Sequence, residues 1–539
     1  MKKITTILTS VMVSAAMLFT ATSCVNDLNV RPIDPNIDMP EDVLNSVGAY
    51  QQLLAKCYGG LSVSSSLGPN GDPDISGVDG GFGQYMRALF YLNELPTDEA
   101  STCWNDQTIK SLHGLSWTNS DVFVTAMFSR LYYQIGICNE FIRRANLASD
   151  DLKGEEMNYM IAQARALRAL SYWHAMDMFG NVPFSTEENS VGSTGPDQIS
   201  RYDLYEWLIE EIAGENGFRS DLRPAASTEY GRTSQEFATM LLAKIYLNAE
   251  VYTSNDAEGR APVTAWSECI NECRSLLKSY PALEANYHGL FSADNHQFTN
   301  EIIFAVQSDA ENIQTYGGSN FVIKSSLVAG NKDWADSLGV DDGWGGVVVT
   351  GKFLDRFDDK ENDSRYLFTD GTDFTGEDKH DYYIINNSDF GSGMCALKFT
   401  NRNADGSRPT SGAAWPNTDY PIFRAADAYL MLAEAQIRNG SLEQDGRDAF
   451  NAVRARAGVS SISNITLDDI ISERGRELYW ENLRRQDLVR FNLLTTGSYL
   501  WDWKGGDLNG RSVDERYNIF PIPANEINSN SKLKQNPGY

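Results

Sequence analysis

Between Met157 and Phe179 the chain carries no proline and sets apolar residues at Met160, Ile161, Ala164, Leu167 and Leu170. That spacing of three and four places them on one face of a helix, which Gly180-Asn181 stops before Pro183. Thr233 to Val251, rich in Ala and Leu, reads as a second long helix. Ala425, Ala428, Tyr429, Leu432 and Ala433 mark a third helical face, and Thr466-Leu467-Asp468-Asp469 is close to a capping box opening a fourth helix through Tyr479. Helices joined by short turns, with Ala at close approaches, predict a mainly α fold of stacked helical pairs of the tetratricopeptide kind. Residues 291–420 differ. They are rich in Gly, Asp and aromatics, with short β-like runs at Glu301 to Val306 and Gly346 to Thr350. An irregular polar insert on a helical scaffold is where binding residues tend to sit. The expected organisation is a helical scaffold over 24–290, the insert over 291–420 and returning scaffold over 421–539.

The first residues add a location. Lys2 and Lys3 precede a mostly apolar run from Ile4 to Thr20, and small residues Ala21-Thr22-Ser23 stand directly before Cys24. This predicts a secretory signal over 1–23. A cysteine at the cut points to a bacterial lipoprotein with Cys24 acylated, anchored in the cell envelope by several chains. Val25 to Pro40, with Pro32, Pro35 and Pro40 among Asp and Asn, reads as a tether.

Composition narrows the partners. Hydrophobic residues at 42% and charged residues at 22% are globular values, and the formal net charge of −28 argues against nucleic acid or an anionic surface. Beyond Cys24 the cysteines are Cys57, Cys103, Cys138, Cys269, Cys273 and Cys395, with no zinc-site spacing. Cys269 and Cys273 share a helical face and read mostly as small buried hydrophobes, a disulfide being the alternative. Asp72-Pro73-Asp74-Ile75-Ser76-Gly77 starts like a calcium loop, but Pro73 is awkward there and position twelve is Gly83, so a solvated turn is the better reading. The five histidines make no His-Glu-x-x-His pattern, and His174 beside Trp173 reads as structural. No cofactor or metal is expected. Carboxylate pairs such as Asp358/Asp359 and Asp341/Asp342 arise by chance in so acidic a chain; glycosidase chemistry requires a defined separation across a bond. Glu473, Arg474, Arg476, Glu477, Glu481, Arg484 and Arg485 read as a surface ion-pair lattice between packed helices.

Six segments, in order along the chain, carry a resemblance. They are Ala162-Gln-Ala-Arg165-Ala-Leu-Arg168-Ala169 running to Phe179-Gly-Asn-Val-Pro183; Gly231-Arg232-Thr233; Phe423-Arg-Ala-Ala-Asp427 through Ala435; Asn451-Ala-Val-Arg454-Ala-Arg456-Ala-Gly458; Glu473-Arg474 with Glu477, then Arg484-Arg485 to Asp487-Leu488; and Phe520-Pro-Ile-Pro523 with the final Gln535 to Tyr539. Together they resemble the SusD/RagB family of outer-membrane glycan-binding lipoproteins. Asn93 to Glu99, Tyr316 to Ser319 and Tyr499 to Gly506 are similar to segments of its starch-binding member. The resemblance implies a tetratricopeptide-like scaffold and no enzymatic activity. It implies a seat on a SusC-like TonB-dependent transporter, on the outer face of the outer membrane. It places an α-glucan site on Trp104, Tyr316 and Trp344, with an arginine contact at Arg87 and an amide contact at Asn105 or Asp106. The segments around Trp104 and after Trp344 look shorter than in that member. The residues themselves agree with a sugar site, since Trp and Tyr offer rigid apolar planes to the C–H faces of sugar rings. An exposed Trp between Gly343 and Gly345 is costly unless it binds something, whereas inward packing is the competing reading for all three rings. The function expected is capture of starch or maltooligosaccharide and its delivery to the transporter. The alternatives are an envelope glycoside hydrolase, or a binding lipoprotein for a different glycan or a peptide.

Overall fold

A computed structural model of the chain describes residues 43–189, 195–369, 382–410 and 412–539. The signal, Cys24 and the tether lie outside the described residues, as does His380. The chain is mainly helical. Its first half holds α1 (Val47–Ser62), α2 (Tyr85–Asn93), β1 (Ser101–Thr102), α3 (Gln107–His113), α4 (Val122–Asn146), α5 (Glu155–Phe179), β2 (Val182–Pro183), β3 (Gln198–Ile199), α6 (Arg201–Ala213), α7 (Gln235–Leu247), α8 (Ala249–Thr253) and α9 (Trp266–Ser279). Then come β4 (Ile302–Val306), α10 (Gly318–Ser326), α11 (Lys332–Ser337), β5 (Val347–Val348), α12 (Gly351–Leu354), β6 (Tyr420–Arg424), α13 (Ala425–Arg438), α14 (Gln444–Arg456), α15 (Leu467–Leu478), α16 (Arg484–Arg490) and α17 (Ala524–Ser529). Some helices pack against sequence neighbours, α4 on α5 and α13 on α14, while α9 packs across both α7 and α13, which are not adjacent to it in the chain.

Local chemistry explains the long helices. The Asp121 carboxylate accepts from the Phe123 and Val124 amides at the start of α4, and Arg143 and Arg144 sit in its last turn. Helix α5 opens on Glu155 and Glu156 and ends at Gly180, whose φ of +70° a side chain would resist. The capping box of Thr466 and Asp469 is present at α15. The expected helix from Thr233 to Val251 is broken in two. Asn248 takes a non-helical conformation, donates from Nδ2 to Lys244 O at 3.0 Å and receives Arg490 on Oδ1 at 3.0 Å, so the chain turns there.

The irregular segment leaves and returns to the helices through one antiparallel ribbon, β4 against β6. Within it, β5 pairs antiparallel with β1, Ser101 opposite Val348 and Thr102 opposite Val347, which stitches this segment to the first half of the chain. The six described cysteines are free and buried, with Cys269 and Cys273 Sγ 3.9 Å apart. His174 is buried, its Nδ1 2.8 Å from the Tyr85 hydroxyl. Asp74 faces Arg130 at 4.0 Å.

The charged residues of α15, α16 and the turn between them are placed differently from the surface expected. Glu473, Arg474, Arg476, Glu477, Glu481, Arg484 and Arg485 are all buried, so the lattice is an internal one and not a solvated face. Arg424 donates to Glu301 at 2.6 Å, to Glu477 at 3.1 Å and to both carboxylate oxygens of Glu481 at 2.6 and 2.7 Å. Arg365 reaches Glu473 at 2.6 Å and Asp363 at 2.7 Å, and Arg456 closes on Glu477. Arg484 grips Asp98 through two bonds of 2.7 and 2.8 Å. Side chains three and four apart on a helix pair equally well inside and outside, so their spacing does not distinguish a buried lattice from a solvated one. Their decisive partners, Glu301, Arg365, Arg424 and Asp98, are distant in the chain.

This network sets the acid limb of stability. Burial alone would push Glu473 and Glu477 up; the guanidiniums of Arg365, Arg476 and Arg454 around the first, and of Arg456, Arg424 and Arg365 around the second, hold both at about 2. A carboxylate whose pKa is depressed on folding contributes stability above its unfolded value, and that contribution is lost as pH falls toward the folded value. Glu99, by contrast, is pushed by burial up to about 7. Its stabilising effect fades as pH rises from the ordinary carboxylate range toward 7, and below that range it is protonated in both states. Chemical denaturation followed from pH 4 down to pH 2, below the range in which Glu99 and the likewise raised Glu301 oppose the trend, should therefore show a continuous fall in unfolding free energy. A flat profile over that interval would contradict the buried network.

Candidate functional site

The residues singled out for a site are assembled around one arginine and one phenylalanine. Helix α2 is buried along its whole length, and its first turn is set by Gln84. Gln84 Oε1 accepts from the Arg87 and Gly318 amides at 2.9 and 3.2 Å, while its Nε2 donates to Leu61 O at 2.8 Å. One side chain thus joins the end of α1 to the starts of α2 and α10. From α2, Arg87 donates through Nε to the Tyr91 hydroxyl at 2.8 Å and through Nη1 to Tyr316 O at 3.1 Å. Burial pushes the Tyr91 hydroxyl up, which keeps it neutral and able to accept. The Arg87 guanidinium lies 4.5 Å from the Phe321 ring centre, 4.7 Å from Phe82 and 5.8 Å from Trp344.

Around this hub stand the three rings. Tyr316, half-buried, precedes α10 and donates its hydroxyl to Asn70 Oδ1 at 2.9 Å. Its ring centre is 6.0 Å from that of Trp344, with the two planes tilted by 55° to one another. Trp344, also half-buried, is fixed by its backbone: its amide and that of Gly345 donate to Lys324 O at 2.7 and 3.3 Å. Lys324 Nζ stands 5.8 Å from the Trp344 ring and is neutralised by Asp341. Trp104 arrives from β1, where the Cys103 amide donates to Gly346 O at 2.7 Å. Its half-buried indole is 6.4 Å from Phe321, and its edge lies so close over Gly346 that a methyl there would come within 2.3 Å of Nε1. Gly346 also has a φ of +95°, so the position needs glycine twice over. Asn105 and Asp106 are exposed beside Trp104.

The structure therefore brings Trp104, Tyr316, Trp344 and Arg87 into one locality and leaves Asn105 on its rim. Arg87 is only 8% exposed and much of its bonding capacity is spent on Tyr91 and Tyr316 O, so it braces the rings. Sequence reasoning missed Trp415, whose ring lies 5.0 Å from Tyr316 at 58°. The signal was available, since Trp415 follows Gly412-Ala-Ala and precedes Pro416, much as Trp344 sits between glycines. It also missed Phe321, fully buried under Trp104 and Arg87, which nothing in the sequence separates from an ordinary core residue. Chemically, the assembly offers apolar ring faces with a polar rim of Asn70, Asn105 and Asp106, the buried Lys324 being paired with Asp341. Among the described residues no group of three or more His, Cys, Asp or Glu is placed to hold a metal ion.

Solved structures of like architecture give the class of fold. A SusD-like carbohydrate-binding protein from Bacteroides fragilis superposes with a TM-score of 0.70 at 19% identity, over 91% of this chain and 99% of that one. Surface glycan-binding protein A from Bacteroides thetaiotaomicron, in complex with laminarihexaose, superposes at 0.67 with 19% identity over the same shares. In sequence, the profile of the SusD family matches residues 300–539. The chain is 32% identical to the starch-binding protein SusD of Bacteroides thetaiotaomicron, over 96% of each. It is 26% identical to a SusD-like protein of Formosa agariphila, over 80% of this chain and 83% of that one. The chain belongs to the SusD family.

Replacing Gly346 with Ala should force Trp104 off its seat. The expected result is a shift in tryptophan emission and a loss of about 1–3 kcal/mol in stability. Emission and unfolding midpoint identical to the parent would show that Trp104 does not rest on Gly346.

Proposed function

We propose that this protein is a non-catalytic lipoprotein of the outer cell surface that captures a neutral α-glucan, starch or maltooligosaccharide, on Trp104, Tyr316 and Trp344. The observation carrying this reading is the convergence of three half-buried rings on one braced hub, Trp104 lying more than 200 positions before Tyr316 and Trp344 in the chain. Similarity to a relative named for starch binding favours α-glucan. Asn105 contributes a hydrogen bond to sugar hydroxyls, and Arg87 fixes the rings from beneath. The captured glycan passes to a SusC-like TonB-dependent transporter on which the protein sits. Residues 291–420 act as the variable insert that contributes Tyr316 and Trp344 to the site, and the helical parts on either side act as its scaffold. Binding requires no cofactor and depends little on salt, because a neutral sugar gains nothing from the net charge. Stacking on a few rings leaves an affinity on the order of micromolar to millimolar.

A native gel containing starch tests the reading. The parent should be retarded, and Trp104→Ala, Tyr316→Ala and Trp344→Ala, each checked for folding, should run faster. If all three migrate like the parent, the site is elsewhere; if the parent is not retarded, the substrate is wrong. The same gel made with laminarin separates the α-glucan reading from the β-glucan named for the fold neighbour. Anchoring is tested separately: Cys24→Ala should move the protein from the membrane fraction to the soluble one, and unchanged fractionation would refute lipidation at Cys24.

A further inference from the structure

The aromatic surface does not end at Trp344. Each of the two glycines that follow it carries a ring: Trp104 lies over Gly346, and a methyl on Gly345 would stand 3.2 Å from Cδ1 of Phe390. Gly345 itself has a φ of +68°. Phe390 thus abuts the backbone next to Trp344, yet it is 45% exposed, one of only two phenylalanines among the described residues that are left exposed. The other, Phe82, already lies under the Arg87 guanidinium.

The backbone on both sides of Phe390 is well held, so its exposure is not that of a loose tip. Asn386 Oδ1 accepts from the Ser388 amide at 3.0 Å, and Asp389 Oδ1 accepts from the Gly391 amide at 2.9 Å, two successive side-chain turns that present the ring outward. Below them, the Ile384 amide donates to Asp502 Oδ2 at 3.1 Å and Trp503 Nε1 donates to Ile384 O at 2.7 Å. Lys110 Nζ donates to the Ser388 hydroxyl and ties the segment to α3, directly after Trp104. A rigidly presented apolar ring beside a row of half-buried rings has the chemistry of a further stacking platform.

We propose that Phe390 is an outer platform of the same site, taking additional units of a neutral glycan chain that runs over Tyr316 and Trp344 and continues across Gly345. The inference rests on the glycan-binding reading of that surface and adds a preference for length. A short oligosaccharide is satisfied by the inner rings, and only a longer one reaches Phe390.

Titration calorimetry of the parent, Phe390→Ala and Phe390→Trp against three-unit and seven-unit α-1,4-glucans, with β-1,3-glucans of equal lengths in parallel, tests it. In whichever series the parent binds, Phe390→Ala should weaken the seven-unit ligand about 3- to 10-fold and leave the three-unit ligand unchanged, while Phe390→Trp restores affinity. An unchanged seven-unit affinity would overturn the proposal. So would an equal loss at both lengths, which would make Phe390 a support for Trp344 instead. If the parent binds neither series, the glycan reading falls and this inference falls with it.

Discussion

The structure depends on a set of buried arginine–carboxylate bonds that join parts of the chain far apart in sequence. Arg424 lies in β6, its partner Glu301 directly before β4, Glu477 in α15, and Arg365 in the irregular segment between those strands. Asp98, held by Arg484 and also by Arg356 at 3.1 Å, lies three residues before β1 and six before Trp104. Pairs of this kind give little net stability relative to a well-packed apolar core, but losing one partner costs about 3–5 kcal/mol because a charge is left buried and alone. Their effect is to fix geometry. Register errors at β6, α15 or the Asp98 loop would each strand a charge, so the points where the site-bearing loops leave the helices are set with little latitude.

From those points the loops build a platform already in position. Trp344 is held through its own backbone, Tyr316 through its hydroxyl and its carbonyl, and Trp104 through β1 and Gly346. A surface whose rings are held in place before a ligand arrives gives up little ordering entropy on binding. Such an arrangement suits the proposed capture and later release of a glycan, where tight closure would be a hindrance.

How much of this was legible in the sequence differs from element to element. Helix α5, stopped at Gly180, and α15, opened by its capping box, follow from periodicity and end residues. Asn248 broke the Thr233 to Val251 expectation because its side chain bonds both to its own helix and to Arg490, 242 positions away, a contact that no local pattern contains. The charge pattern of α15 was visible but its burial was not, since the ion partners come from elsewhere. In the aromatic cluster, Trp344 was singled out from its flanking glycines, and Trp415, which packs on Tyr316, carried the same signal unread. Trp104 and Tyr316 stood out only through family resemblance. Phe321 and Gly346, which support them, acquire their roles only when α2, α10 and the β1–β5 pair come together.

The central claim is that one preformed aromatic surface holds an α-glucan chain. A crystal structure of the protein grown with maltoheptaose tests it most directly. The account predicts glucose units lying flat on Trp344 and Tyr316, with C–H faces within about 4 Å of the rings, and the chain entering beside Trp104. Sugar bound elsewhere on the molecule, with these rings bare, would contradict it.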